Sequence, residues 1–446
     1  MFENMKFILR VSAMLCVLIP VSVVQAQGMP DYEPPELSLS TIILFALDSN
    51  PDVGIAEAKA GQLRYSVDEA RAGLYPQASL SVGMGQDFND PASGDEIETG
   101  QSDVTGTASY NFTVKQLLFD GFRVAESVKQ REKAYEAEQI KADVARQKVV
   151  TQAIEMYLAV YRNQRSYRQM VDFVRRLEDI YSKIEISYDA GATSKAKLNY
   201  AKSRLAFAKS DMQNTRAQLK DSLSSLEFLT GKLPTFAAIS PDELDPSVLD
   251  MDFYLDMASK HNFDVMVSNK NIDSAEHQLK SQRAKYMPVV NFNVGFRQLA
   301  DEGGEVGMER DITSGIELSY DLFDGGKRKS AEERMKIQLN ELALKKQKLL
   351  KELQKEIKLS YNQILSIQKN MILTDEEIES SREVRRLNYE KFELGEIDII
   401  ELIEGEERLN AALKKRNSQE ANLYLNTFKL LKQVGALSGD NFCEAC

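Results

Sequence analysis

Side chains able to do chemistry are scarce in this sequence, and none is spaced for catalysis. Histidine occurs only at His261 and His277, each inside a helix-like stretch, where a lone imidazole is a solvated helix residue rather than a metal ligand. Two of the three cysteines, Cys443 and Cys446, close the chain as CEAC. A redox CxxC opens a helix beside a strand, a context missing here. In an exported chain the pair is expected to form a local disulfide that holds a loose tail. Carboxylates are the remaining candidates: Glu401 and Glu404 in YEKFELGEIDIIELIEGEERL stand i, i+3 and share one helical face. Where 28% of residues are charged, such a face is often merely solvated. No nucleophile–base pair or metal-ligand cluster is present, so no enzyme, metal or cofactor is expected.

The elements that must position these residues belong to an exported chain. It opens with Lys6 and Arg10, an apolar run over residues 11–24 and then Val24-Gln25-Ala26, the layout of a signal peptide spanning residues 1–26. The apolar run is short for a membrane helix, which needs ~20 residues. Cys16 follows Leu15, where a lipoprotein processing site wants a small residue, so no lipid anchor is expected. No later segment is apolar over a spanning length, and any membrane crossing must therefore use strands. Net charge is −12; Lys6, Arg10 and Glu3 contribute +1, leaving −13 for the mature part, which argues against a nucleic-acid partner.

Downstream the chain is one unit written twice. At an offset of 204, Leu118-Phe119-Asp120-Gly121 maps onto Leu322-Phe323-Asp324-Gly325, Tyr157 onto Tyr361, Gly191 onto Gly395 and Gly231 onto Gly435. Upstream the offset is 212: Asn50 maps onto Asn262, Arg71-Ala72 onto Arg283-Ala284 and Pro76 onto Pro288. The eight-residue difference must lie between Pro76 and Phe119. Repeat one is assigned to residues 27–247, repeat two to 248–435, and a tail to 436–446.

Each copy predicts helix, two strands, long helix, turn and helix. The first helices are expected over 37–75 and 248–286, stopped by Pro76 and Pro288. Strands are expected at about 77–88, 104–119, 289–299 and 311–323, where the period becomes two. Val290, Phe292, Val294 and Phe296 alternate with Asn291, Asn293, Gly295 and Arg297, so one face is apolar and the other polar. Loops between paired strands are acidic and rich in turn formers. After each LFDG come some seventy helix-forming residues, about 100 Å of helix at ~1.5 Å per residue. DAGATSK and ELGEID break them, and a returning helix follows.

Four amphipathic strands cannot close a barrel, since the smallest single-chain barrels use eight. Open edges are intolerable in lipid, so strands must be pooled among identical chains. Here the sequence resembles the TolC-like outer membrane efflux proteins, on the strength of the duplication, the prolines before the strands, LFDG after them and the glycine-bearing tips 70 residues later. The resemblance implies a mainly α fold with a small membrane β part. It implies a homotrimer whose twelve-stranded β-barrel in the Gram-negative outer membrane continues into a long α-helical periplasmic barrel. The implied function is the exit duct of a tripartite efflux or type I secretion system for drugs, small toxins or secreted polypeptides. Its partners would be a periplasmic adaptor (membrane fusion protein), an inner-membrane transporter of RND, ABC or MFS type, and outer-membrane lipid. The competing class is a periplasmic coiled-coil adaptor or scaffold without a pore, which would leave four alternating strands without a use.

The same resemblance nominates sites. Counted from Gly395, the family's two constriction aspartates fall on Glu401 and Glu404, giving stacked carboxylate rings in a trimer. Phe392 stands where the family often has a gating tyrosine, and Ile397 where it can have a basic residue. Lys197 aligns with Glu401 in the other copy and is expected to pair with Glu401 or Glu404 of an adjacent hairpin. Gly191, Ala192, Gly395 and Glu396 form the adaptor-contact tips. The strand–helix junctions are Phe119, Asp120 and Gly121, and Phe323, Asp324 and Gly325, with the aspartates suited to cap the long helices and the glycines easing the bend. Without tryptophan, an interfacial aromatic belt falls to residues such as Phe119, Tyr320 and Phe323.

Overall fold

The computed structural model describes residues 38–89, 103–231, 250–300 and 307–437. The signal peptide, most of both interstrand loops and the Cys443–Cys446 pair lie outside the described residues. In order the elements are α1 (Leu39–Ser49), α2 (Pro51–Ala72), β1 (Gln77–Asn89), β2 (Asp103–Phe119), α3 (Arg123–Asp189) and α4 (Lys195–Thr230). The second half repeats them as α5 (Met251–His261), α6 (Phe263–Ala284), β3 (Val289–Ala300), β4 (Met308–Ser319), α7 (Lys327–Glu393) and α8 (Ile399–Gln433).

Two expectations need correction. The first helix of each copy is not continuous but divides at Asn50 and at Asn262. Pro51 fits the first turn of a new helix because it needs no donor there. The Asn50 side chain accepts the Asp52 amide, and Asn262 accepts those of Asp264 and Val265, so each asparagine caps the second segment. The fourth strand begins at Met308 and ends at Ser319 rather than running from 311 to 323. Ser319 pairs with Val289, the first residue of β3, so residues beyond it have no strand to pair with inside the chain. The other three strands match expectation to within one residue at each end.

The four strands form one antiparallel sheet in the order β1-β2-β3-β4. Its register produces a row of apolar side chains across every strand: Leu80 opposite Phe112, Phe112 opposite Phe296, Phe296 opposite Ile312. The next row, on the other face, is Ser81, Asn111, Arg297 and Asp311, closed by an Arg297–Asp311 ion pair of 2.9 Å. Leu80, Met84, Ile312, Ile316 and Leu318 are all more than half exposed. An apolar sheet face left open to this extent is built to meet something other than water.

The helical core is a set of clusters strung along the helices rather than one globule. Val149, Val150, Ile154 and Tyr157 of α3 bury against Ile42 and Ile43 of α1, Leu226 of α4 and Phe428 of α8. Nearer the far end, Ile180 and Ile184 of α3 join Ala201 and Leu205 of α4 and Ile399, Leu402 and Ile403 of α8. Both long helices have 67 residues, about 100 Å at ~1.5 Å per residue. Among the described residues no helix is long and apolar enough to cross a membrane.

Candidate functional site

The two LFDG stretches sit where strand gives way to long helix. Their aspartates do cap, but from three residues before the first helical residue. Asp120 is buried, and its Oδ2 accepts the Val124 amide at 3.0 Å. Asp324 Oδ1 accepts the Gly326 amide at 3.0 Å, and Oδ2 accepts the Arg328 amide at 2.9 Å and its Nε at 2.8 Å. Desolvation pulls the Asp324 carboxyl upward, but these donors outweigh it and hold the group below the usual carboxylate range. This geometry requires two consecutive left-handed residues: Gly121 and Phe122 in copy one (φ 70 and 67), Gly325 and Gly326 in copy two (φ 66 and 86). Phe122 is the only such non-glycine among the described residues, and its ring stands edge-on to Phe119 at 6.0 Å. Leu322 and Phe323 are 86% and 88% exposed, and Phe119 and Tyr320 are exposed as well, so none of the four packs into the protomer's core.

At the opposite end the two hairpins have the same turn. Gly191 (φ 75) donates to the Tyr188 carbonyl and Ala192 to that of Ser187; Gly395 (φ 75) donates to Phe392 and Glu396 to Lys391. This paired bonding, six-to-one outside five-to-two, satisfies the last carbonyls of α3 and α7 and needs a left-handed residue, which glycine supplies. Gly191, Ala192, Gly395 and Glu396 are all exposed at these tips.

Glu401 and Glu404 lie in the first turns of α8 on its exposed face, while Leu402 and Ile403 are buried behind them. Glu404 pairs along the helix with Arg408 at 3.5 Å. Glu401 has no ion-pair partner among the described residues. Lys197 meets neither within the protomer: its Nζ lies 3.2 Å from Asp398 at the start of α8. Arg204 and Asp211, each seven residues further along α4, pair with Glu407 at 3.7 Å and Lys414 at 3.5 Å, completing a ladder between α4 and α8. Phe392 and Ile397 turn inward onto the apolar cluster of α3, α4 and α8. Apolar packing thus occupies the two positions at which the sequence departs from the polar residues of the family pattern.

Three groups escaped the sequence reading. Glu406 is wholly buried, and its Oε2 accepts Arg176 Nε of α3 at 2.7 Å while Arg385 of α7 approaches Oε1 at 3.9 Å. One carboxylate therefore joins three helices. Its signal was its place in the apolar period of α8, between Leu402 and Leu409. Tyr389 donates to Asp179 of α3 at 2.9 Å beneath the Lys183 ammonium; burial and then that carboxylate push its hydroxyl pKa up. His277, expected to be solvated, is largely buried and lies 2.7 Å from Glu126, joining α6 to α3.

No curated protein matches the sequence significantly. In fold the chain is similar to CusC, whose crystal structures concern folding and transmembrane channel formation: TM-score 0.79, 15% identity, 92% of this chain and 95% of that one. It is likewise similar to the CmeC outer membrane channel of Campylobacter jejuni, with TM-score 0.78, 13% identity and coverage of 96% and 97%. The outer membrane protein VceC of Vibrio cholerae gives TM-score 0.76, 14% identity and coverage of 89% and 96%. Both repeats match a family model described as outer membrane efflux protein, over residues 43–232 and 254–436. With both halves matched and the sheet, joints and hairpins in place, the chain belongs to the outer membrane efflux protein family.

Proposed function

We propose that three copies of this chain form the exit duct of a tripartite efflux or type I secretion system. The observation that carries this reading is the sheet. Four strands with one continuous apolar face and two open edges cannot face lipid alone, whereas three copies supply twelve strands and close every edge. The polar row of Ser81, Asn111, Arg297 and Asp311 then lines a wet lumen, and the helices carry the duct through the periplasm. No bond is made or broken; the protein supplies a path.

The finer assignments rest on this arrangement. The exposed hairpin tips are the contact for a periplasmic adaptor, and through it an inner-membrane transporter of RND, ABC or MFS type. Glu401 and Glu404 form carboxylate rings at the mouth that favour cations, with Lys197 holding the mouth through Asp398. Fractionation tests the whole: an outer-membrane, heat-sensitive trimer that conducts in planar bilayers is expected, and recovery as a soluble periplasmic protein would defeat the reading. For the mouth, Lys197→Glu faces Asp398 with a like charge and should raise single-channel conductance; unchanged conductance removes Lys197 from the gate.

A further inference from the structure

We infer that the joint between sheet and helices holds a binding site for a phosphate group, of the kind carried by a phospholipid headgroup. A cavity of about 450 Å³ opens where the two repeats meet, between the LFDG joint of copy one, the end of α6 and the start of α7. That volume lies within the range of small-ligand sites. Its wall carries five cations, Arg123, Lys285, Lys327, Arg328 and Arg334, against three carboxylates, Asp120, Asp321 and Asp324. The chain as a whole carries a net charge of −12, so a cavity with a cationic excess runs against its average.

Which of these charges remain available follows from their bonds. Asp120 and Asp324 are engaged by backbone amides and by Arg123 and Arg328. Arg328 also donates to the carbonyls of Asp321 and Lys285 and lies over the Tyr286 ring, so it is fixed as part of the wall. Lys285, Lys327 and Arg334 have no ion pair or side-chain hydrogen bond among the described residues, and Asp321 is the one lining carboxylate equally unengaged. Three free cations against one free carboxylate leave the wall with a positive excess that attracts an anion, and phosphate oxygens accept from guanidinium and ammonium groups alike.

Position favours the headgroup over a free ion, and this part rests on the duct reading. The cavity lies at the end of β4 and the start of β3, just where an apolar sheet face would leave the hydrocarbon and reach the headgroups on the periplasmic side. Leu322 and Phe323, exposed beside it, offer acyl chains an apolar surface.

The test titrates the purified full-chain trimer with inorganic phosphate and, separately, with dihexanoyl phosphatidylglycerol below its micelle concentration. Saturable binding at one site per protomer is expected, weakened about tenfold or more in Lys327→Gln/Arg334→Gln and kept in Lys327→Arg, which preserves the charge. Tighter binding of the lipid assigns the site to a headgroup, and equal binding assigns it to the phosphate group alone; either supports the inference. Absence of saturation with both probes, or equal binding by the glutamine variant, overturns it. Should that variant fail to assemble, Lys285→Gln at the end of α6 is read the same way. Conductance of the same preparation separates the two readings: pores without phosphate binding sink only this site, whereas loss of pores sinks the duct.

Discussion

Gly121 and Gly325 occupy equivalent places in the two joints, yet alanine should be tolerated very differently at each. Both residues are left-handed, with φ of 70 and 66, so alanine costs about 1–2 kcal/mol of backbone strain at either. At Gly325 a Cβ would meet nothing within 4 Å. At Gly121 it would fall 2.6 Å from Met287 Cβ, 2.8 Å from Met287 Cγ and 3.0 Å from the Ala284 carbonyl oxygen. The nearest of these is not the tip of a flexible side chain, so the end of α6 must move, adding about 1–3 kcal/mol. Guanidinium unfolding of the detergent-solubilised trimer, followed by circular dichroism, should place Gly121→Ala below Gly325→Ala by that difference per protomer. Adding Met287→Ala removes the Cγ contact but not the Cβ contact, so it should relieve part of the Gly121→Ala loss and none of the Gly325→Ala loss. Equal shifts for the two glycine variants would falsify the close approach of the joint to α6.

Three further outcomes are expected. Glu406→Leu leaves the Arg176 guanidinium, 28% exposed, without its charged partner and should destabilise by about 1–3 kcal/mol in the same unfolding assay; an unchanged midpoint counts against the tie. Burial pulls the Glu126 carboxyl upward, but hydrogen bonds from His277 and Lys129 hold it below its ordinary 4.5. Its stabilising share is therefore complete above pH 4.5 and lost as pH falls through the lower folded value, so Glu126→Gln should flatten the acid limb of the stability profile; an unchanged limb counts against the contact. Raising salt from about 0.1 to 1 M shortens screening from about 10 Å to 3 Å, so conductance should rise faster than bulk conductivity if exposed pairs hold the mouth; strict proportionality removes them from the gate.

Much of this fold could be read from the chain because its signals are local. The offset of 204 reappears in the starts of α3 and α7, and the period of two reappears in three strands to within a residue. Asn50 and Asn262 were visible as matched residues but not as breaks, since a continuous apolar period runs across both. The end of β4 depended on where β3 begins, a long-range fact that alternation cannot supply. Glu406 was hidden among five glutamates in EIDIIELIEGEERL, although its position on the Leu402–Leu409 face marks it as the one that must be paired. The Asp179 partner of Tyr389 lies 210 residues away and has no sequence signal at all.

The ties at the hairpins also indicate where a duct of this build yields first. Nearest the tip, Lys197–Asp398 and Arg204–Glu407 have side chains 32% to 43% exposed, and pairs so open contribute about 0–1 kcal/mol each. Between those two pairs along α8, on its buried face, Glu406 is fully buried and its partner Arg176 is 28% exposed. The charged ties broken when α8 parts from α4 at the mouth are therefore weak and screened. Parting α8 from α3 would break the Glu406–Arg176 pair and open the apolar cluster of Ile180, Leu402 and Ile403 to water. Motion that opens the mouth should accordingly be confined to the last turns of the hairpins, with Glu406 as its fixed boundary, rather than spread along the 67-residue helices.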